Sequence, residues 1–494
     1  MQLKNKIKMM CLALCFAFTF LSAQELYTPL QIKNFEKVTT HQELLNYLAE
    51  LDSFSSSISM EMIGKSVQNR EIPMIFYSGN SEDRHVKVLI FAQQHGNEPS
   101  GKEAALMLIR KLAIDTNREL FPKVDLYIIP SSNPDGNESS KRSNANKSDV
   151  NRDHLLLTQP EVVAIHNQFN KIFPEVTLDV HEYSAFRKSF LAVGYVRSTE
   201  EEFGAPTNLN VPKSIVEYGV DSLFSFLNAE LTNSGVSFSN YHKINGPADT
   251  VRASTAGIID GRQSFAILNS FSFLVEGQNG KSFNSDLERR SLNQLKALES
   301  FIEFQNKNYK KIISIVDEVR EKSLTLCDSV VIQMDYNFNG EKIELPVSIL
   351  PSMKDSVVSM LYSSEIKGIK SVARPKAYLI PSEQIDVIEL LKKHNVNYSV
   401  VENPKQIETE VYKIKRADKK WLENKIFTIP EIEINPKNYT CKTGDVIVSL
   451  NQNSGTWLSI ALEPESMWGI IQSDEFKDLL KINEPFPIYR IIKN

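Results

Sequence analysis

The segment His95-Gly96-Asn97-Glu98-Pro99-Ser100-Gly101 contains two side chains that could bind a metal ion. It follows an apolar run at residues 86–92 that predicts a strand, and a helical pattern follows at residues 102–113. The imidazole of His95 and the carboxylate of Glu98 can converge on one cation if a turn brings them to the same side. Zn²⁺ takes such nitrogen and oxygen ligands, and catalytic zinc sites use three protein ligands and a water. The pair alone is weak evidence, because short motifs of this kind often arise by chance.

Three further predicted strands are also followed by polar residues. These are Asn133 after residues 124–129, His181 after residues 177–180, and Glu276 after residues 273–275. The alternation of strands and helices predicts an α/β fold with a mixed, largely parallel sheet flanked by helices. Such sheets bind ligands beyond the carboxyl ends of their strands, so we expect His95, His181 and Glu276 to share one edge. His154 is a rival third ligand, and we favour His181 over it.

Residues 141–153 carry charged and amide side chains in a region rich in turn-forming residues. The guanidinium groups of Arg142 and Arg152 suit a carboxylate or a developing oxyanion, which indicates an anionic group on the ligand. In isolation the segment would be better explained as a solvated loop.

These motifs together resemble the zinc carboxypeptidases related to carboxypeptidase A. The resemblance extends over roughly residues 30–305, and the motifs occur in the family's order and strand context. They are His95-x-x-Glu98, Asn133-Pro134-Asp135-Gly136, Arg142, Asp149-x-Asn151-Arg152, Asp179-Val180-His181 and Phe273-Leu274-Val275-Glu276.

The resemblance implies a role for each of eight residues around one zinc ion per chain. His95, Glu98 and His181 would bind the metal, and Glu276 would activate the zinc-bound water as the general base. Arg142 would stabilise the oxyanion, Asn151 and Arg152 would hold the terminal carboxylate of a peptide, and Asp149 would orient His95. Zinc and a positioned carboxylate base are suited to peptide hydrolysis.

The chain departs from the family pattern in the loop before the base. The family often has a tyrosine there, whereas residues 247–262 contain none. Arg252 and Arg262 are candidates for substrate contacts in its place, and ordinary loop charges are the alternative.

The chain predicts an exported protein of two folded regions. Residues 1–23 have lysines, an apolar core and a Ser-Ala end, which is typical of a cleaved signal peptide. The mature chain would have no permanent membrane span and would be periplasmic or extracellular. We assign residues 24–310 to the catalytic domain and residues 325–494 to a smaller α/β accessory domain, with a hinge near residues 291–321.

The net charge and the cysteine content of the chain bear on its binding partners and on disulfide formation. The net charge of −5 gives no basic footprint for nucleic acid. Cys327 and Cys441 are the only cysteines outside the predicted signal peptide, and they could pair or stay reduced.

The leading hypothesis is an exported zinc metallocarboxypeptidase that hydrolyses the C-terminal peptide bond of peptides. One alternative is a zinc amidase acting on D- or gamma-linked cell-wall peptides or on N-acyl amino acids. Another is an inactive peptide- or glycan-binding module, which would not need a base such as Glu276. The sequence does not reveal the preferred terminal residue, the natural substrate, the oligomeric state or the role of the C-terminal domain.

Overall fold

A computed structural model describes residues 26–325 and 329–492 of the protein. The predicted signal peptide and Cys327 lie outside the described residues. Cys441 is buried, and its pairing with Cys327 stays a prediction.

Twenty strands occur in the described residues. Those in the first half are β1 (Ile58–Lys65), β2 (Glu71–Ser78), β3 (Val86–Ala92), β4 (Val124–Ile129), β5 (Val176–Tyr183), β6 (Tyr195–Arg197), β7 (Glu201–Gly204), β8 (Phe238–Asn240), β9 (Val251–Arg252) and β10 (Phe271–Gln278). Those in the second half are β11 (Ser329–Asn337), β12 (Lys342–Ile349), β13 (Lys354–Ser363), β14 (Glu365–Ala373), β15 (Ala377–Ile380), β16 (Ser399–Val400), β17 (Lys405–Leu422), β18 (Lys425–Cys441), β19 (Val446–Ser449) and β20 (Tyr489–Ile491).

The helices lie mainly in the first half of the chain. The α-helices are Pro29–Ile32, His41–Phe54, Ser100–Ile114, Pro134–Ser139, Pro160–Ile172, Lys188–Leu191, Lys213–Tyr218, Phe224–Asn233, Gly261–Ile267, Leu287–Ser323, Ile385–Lys393 and Gly455–Leu462. Single turns of 3₁₀-helix occur at Val150–Arg152, Ile470–Gln472 and Lys477–Leu479, and a π-helical turn at Gly219–Leu223. None of the described helices is long and apolar enough to cross a membrane.

A mixed sheet of eight strands, in the order β1-β2-β4-β3-β5-β10-β7-β8, organises the first half. Its four central strands β4, β3, β5 and β10 run parallel to one another. All eight residues of β5 are buried, as expected for a strand covered on both faces. The predicted mixed, largely parallel sheet flanked by helices is confirmed. Its parallel strands place the residues that follow β3 and those that end β5 and β10 at one edge.

The second half is richer in strands than the sequence indicated. A six-stranded sheet has the order β16-β19-β15-β20-β17-β18, and β17 and β18 form a long antiparallel hairpin. Two α-helices, Ile385–Lys393 and Gly455–Leu462, also lie in this half. We expected a smaller α/β accessory domain here, and the structure shows a β-rich region.

The two halves share both sheet pairing and core. In a four-stranded sheet, β6 and β9 from the first half pair with β12 and β13 from the second. One continuous cluster of buried apolar residues includes Phe265 from the first half and Trp457 from the second. The predicted hinge at residues 291–321 lies inside the helix Leu287–Ser323, which departs from helical geometry at Asn308.

Candidate active site

Three buried side chains form a possible metal site at the carboxyl edge of the central sheet. His95 and Glu98 lie in the loop after β3, and His181 lies on β5. His95 Nδ1 is 3.0 Å from each carboxylate oxygen of Glu98, and His181 Nδ1 is 2.9 Å from Glu98 Oε2. One donor atom from each residue lies within 4.8 Å of the other two. Two imidazole nitrogens and a carboxylate are a donor set that suits zinc, with room for a further ligand.

The far nitrogen of each histidine faces a carboxylate. His95 Nε2 is 3.1 Å from Asp149 Oδ1, and His181 Nε2 is 2.7 Å from Asp179 Oδ1. These carboxylates favour the tautomer with a proton on Nε2, which leaves the lone pair of Nδ1 free for a metal. Burial alone would raise the pKa of Glu98, but the two imidazoles hold it well below its usual range. The carboxylate is therefore ionised and ready to bind a cation.

Glu276 and Arg142 lie beside this cluster. Glu276 is on β10, level with His181 on the neighbouring strand, and both line the same cavity. Its pKa is raised to about 8, first by burial and then by the charges of Glu98 and Glu202, while His181 acts in the opposite direction. Arg142 donates from Nε to Asp149 at 3.0 Å, and its Nη1 is 3.4 Å from Glu98 Oε1.

Asn151 and Arg152 lie in a single 3₁₀ turn on the cavity wall. Asn151 Nδ2 is 2.8 Å from His181 Nε2 and 3.2 Å from Asp179 Oδ2, and its Oδ1 accepts a hydrogen bond from Gly261 N at 2.8 Å. Asn151 thus connects Asp179, the carboxylate that faces His181, to the start of the helix Gly261–Ile267. Arg152 bonds only locally, from Nη1 to the Asn151 carbonyl, among the contacts of the described residues.

The two arginines proposed from the loop before the base have different environments. Arg252 forms an ion pair with Asp249, with Nη2 to Oδ1 at 2.6 Å, and it is not part of the cavity lining. Arg262 lines the cavity with its side chain only 1% exposed.

The cavity has a volume of about 510 Å³ and extends beyond the first half of the chain. Lys425, at the start of β18, lines it together with Lys243 and Tyr241. The tip of the β17–β18 hairpin therefore contributes to a cavity whose metal site lies in the other half. Periodicity could not reveal these residues, because they depend on how the two halves fold together.

Asp179 could have been found from the sequence. It lies two residues before His181 on β5, and side chains two apart on a strand point to the same face. Gln94 Nε2 donates to Asp179 Oδ1 at 2.9 Å and provides no such signal, because it is an isolated amide in a loop.

His154, the rival ligand, is not in the metal cluster. Its Nε2 is 2.8 Å from Gln94 Oε1, and its Nδ1 is 3.0 Å from His166 Nε2. His394, from the second half, has its ring centroid 5.3 Å from that of His166 and its Nε2 2.8 Å from the Leu155 carbonyl. These three histidines are buried, and no sequence pattern around His166 or His394 predicts this.

Comparison with known proteins agrees with this geometry. A family model described as zinc carboxypeptidase matches residues 44–188, a range that includes His95, Glu98 and His181. Carboxypeptidase 2 of Trichophyton rubrum is 22% identical over 442 residues, which cover 86% of this chain and 81% of the relative. Residues 44–188 thus match the zinc carboxypeptidase family, and the relatives named carboxypeptidase support peptide-bond hydrolysis of the carboxypeptidase type for this chain.

Two further proteins are similar to shorter parts of the chain. Carboxypeptidase M of Mus musculus is 30% identical over 137 residues, covering 23% of this chain and 31% of the relative. A solved metallo-carboxypeptidase from Pseudomonas aeruginosa is 17% identical with a TM-score of 0.45, covering 56% of this chain and 71% of that one. The match to the Trichophyton rubrum protein is too long to be confined to residues 24–310, so it includes part of the β-rich region.

Proposed function

We propose that the protein is an exported, zinc-dependent metallocarboxypeptidase that removes the C-terminal residue of peptides. The observation that carries this proposal is the convergence of His95, Glu98 and His181 within 4.8 Å. Export is supported by the signal-peptide pattern of residues 1–23. The site lies outside the cytoplasm in this proposal, in the periplasm or the medium.

The residues beside the His95, Glu98 and His181 cluster have separate roles in the reaction. When bound, zinc polarises a scissile carbonyl and acidifies water. Glu276 takes a proton from the attacking water and returns it to the leaving amine. Arg142 presents its guanidinium to the negative charge that develops on the carbonyl oxygen. Removing such a donor typically costs ~3 kcal/mol in the barrier.

Positive charge at the cavity wall supports an exopeptidase. Arg152, Lys243 and Lys425 all line the cavity, and no salt bridge within 4.0 Å involves any of them in the described residues. Arg152 is near enough to Lys425 to contribute to lowering the lysine's pKa, after burial. Binding of an anion stabilises a cluster of like positive charges of this kind. We assign this role to the terminal carboxylate of the peptide, which would contact Arg152 and Asn151 directly.

We also propose that residues 24–310 act as the catalytic domain and residues 325–494 complete its mouth. Glu423, at the hairpin tip, accepts a hydrogen bond from Ala256 N at 2.9 Å and so supports the loop before the base. Lys425 extends from the same tip into the cavity. Because strands and core are shared between the halves, we expect a truncation at residue 320 to be insoluble, so point variants are better probes.

A mixed peptide library analysed by mass spectrometry tests the proposal. The wild type should release single residues from the C-terminal end, and activity should be lost with a chelator and in Glu276→Gln. Glu201→Gln is a matched control: Glu201 is buried on β7 next to the β10 strand, and it does not line the cavity. Burial raises its pKa well above the usual range, so it is already neutral and the amide changes little.

The outcomes separate the candidate functions. Chelator-resistant cleavage, or full activity in Glu276→Gln, would refute the proposed mechanism. Cleavage confined to D- or gamma-linked peptides or to N-acyl amino acids would identify a zinc amidase instead.

A further inference from the structure

Arg262 is a buried cation at the wall of the active-site cavity. It is the second residue of the helix Gly261–Ile267, and its side chain is 1% exposed. Its Nη2 donates to Ser254 Oγ, whereas Nε and Nη1 have no hydrogen-bond partner among the described residues. A guanidinium carries five N–H donors and stays charged, so this arginine has donors left for another group.

The Nη1 end of Arg262 packs closely against Gly204 on β7. A Cβ placed on Gly204 would lie 2.7 Å from Arg262 Nη1, 3.1 Å from Leu274 Cγ and 3.2 Å from Tyr241 Cβ. Leu274 and Tyr241 also line the cavity. The glycine on β7 therefore makes room where the guanidinium reaches the cavity, and any side chain at residue 204 would collide with it.

The protein itself does not neutralise this charge by direct contact. Within the described residues no carboxylate lies within 4.0 Å of Arg262, although Asp260 is near enough to feel its charge. Asp260 Oδ1 is engaged at the start of the helix, where it accepts from Gln263 N at 2.9 Å. Burying a charge without a paired counter-ion costs several kcal/mol, so a structural role alone would not require an arginine here. An anion bound from the cavity would offset that cost.

We propose that Arg262 binds the side-chain carboxylate of the substrate's terminal residue, so that the enzyme prefers C-terminal Glu or Asp. This inference rests on the proposed carboxypeptidase function and names its substrate class. Arg152, with Lys243 and Lys425, holds the α-carboxylate, while Arg262 holds the second carboxylate at the buried end. Two separate sets of cations thus match the two anionic groups of an acidic terminal residue. The planar fork of arginine is suited to a bidentate carboxylate contact.

Peptides that differ only in the last residue, Glu, Gln, Leu or Lys, test the inference through kcat/KM. The wild type should prefer Glu over Gln by at least about 100-fold, because the amide leaves a buried guanidinium unpaired. Arg262→Met should lower kcat/KM for the Glu peptide by about 100-fold and leave the Leu peptide within about threefold. Arg262→Lys, which keeps the charge, should retain part of the preference for Glu. Arg252→Met is the matched control, because Arg252 is a buried arginine outside the cavity lining, and it should keep the wild-type preference.

A binding measurement keeps this inference separate from the proposed function. Free L-glutamate should raise the melting temperature of the wild type more than L-glutamine or L-leucine, and this difference should vanish in Arg262→Met. That result would support the acidic pocket even if no peptide were cleaved. Equal binding of the three amino acids by the wild type would overturn the inference. An equal loss of kcat/KM for all four peptides in Arg262→Met would also overturn it, because it would assign Arg262 to the α-carboxylate or to the fold.

Discussion

Replacing Asp179 by Asn should weaken zinc binding although the residue does not touch the metal. Its carboxylate contacts three groups: His181 Nε2 at 2.7 Å, Gln94 Nε2 at 2.9 Å and Asn151 Nδ2 at 3.2 Å. All three are donors when His181 binds the metal through Nδ1, so the site needs acceptors on both oxygens. Asparagine would place an NH₂ group against one of these donors.

The expected loss of zinc affinity in Asp179→Asn can be estimated, because the variant lacks the carboxylate that orients a metal-binding histidine. Such changes typically weaken metal affinity by about 10- to 100-fold, which is about 1.4 to 2.7 kcal/mol. Competition with a chelator of known affinity measures the zinc Kd. Asp445→Asn is the matched control, because Asp445 is also buried but accepts from Ser382 N and Lys442 N in the second half. A change of less than about threefold in Asp179→Asn would refute the reasoning.

Two further predictions concern acid stability and the hairpin. Burial lowers the pKa of His394 to about 4, while the unfolded chain titrates near 6.5, so the unfolded state binds more protons and stability falls as pH drops from 6.5 toward 4. The free energy of unfolding should fall less between pH 7.5 and pH 5 in His394→Gln than in the wild type, by about 2 kcal/mol, as measured by urea midpoints. The same pH dependence in both proteins would contradict this prediction. Lys425→Ala should raise KM by about 10-fold for every terminal residue, with kcat little changed, if Lys425 helps to hold the α-carboxylate. A loss restricted to acidic terminal residues would instead place Lys425 with Arg262.

Local patterns predicted the elements that carry the metal site. Strands β3 and β4 begin and end where their apolar runs do, because central strands of a parallel sheet are mostly buried and therefore mostly apolar. The turn residues that follow them made the active edge of the sheet recognisable. The sequence predicts one helix over residues 211–232, but the chain there divides into Lys213–Tyr218, a π-helical turn and Phe224–Asn233.

The strands of the second half could not be predicted from local patterns. Strands β17 and β18 contain many exposed charged residues, so their sequences lack the alternation that marks a half-buried strand. From the sequence alone, the basic cluster of β17 indicates a solvated face; its residues are Lys413, Lys415, Arg416, Lys419 and Lys420. Their pairing is a long-range property of the hairpin, and so is the position of Lys425 in the cavity.

The candidate site shows the same division between local and long-range information. His95, Glu98, His181 and Glu276 were predicted because each follows or ends a strand of one parallel sheet. The environment of Arg262 could not be predicted, because its unpaired donors and its close contact with Gly204 arise from packing between β7, β10 and the helix Gly261–Ile267. The sequence could name Arg262 as a candidate but could not distinguish it from Arg252.

X-ray absorption at the zinc edge, on protein loaded with one equivalent of zinc, tests the central claim most directly. The account predicts one zinc per chain with two imidazole nitrogens at about 2.0–2.1 Å and one carboxylate, and a loss of one imidazole in His181→Ala. A first shell with no histidine, or a spectrum unchanged in His181→Ala, would contradict it.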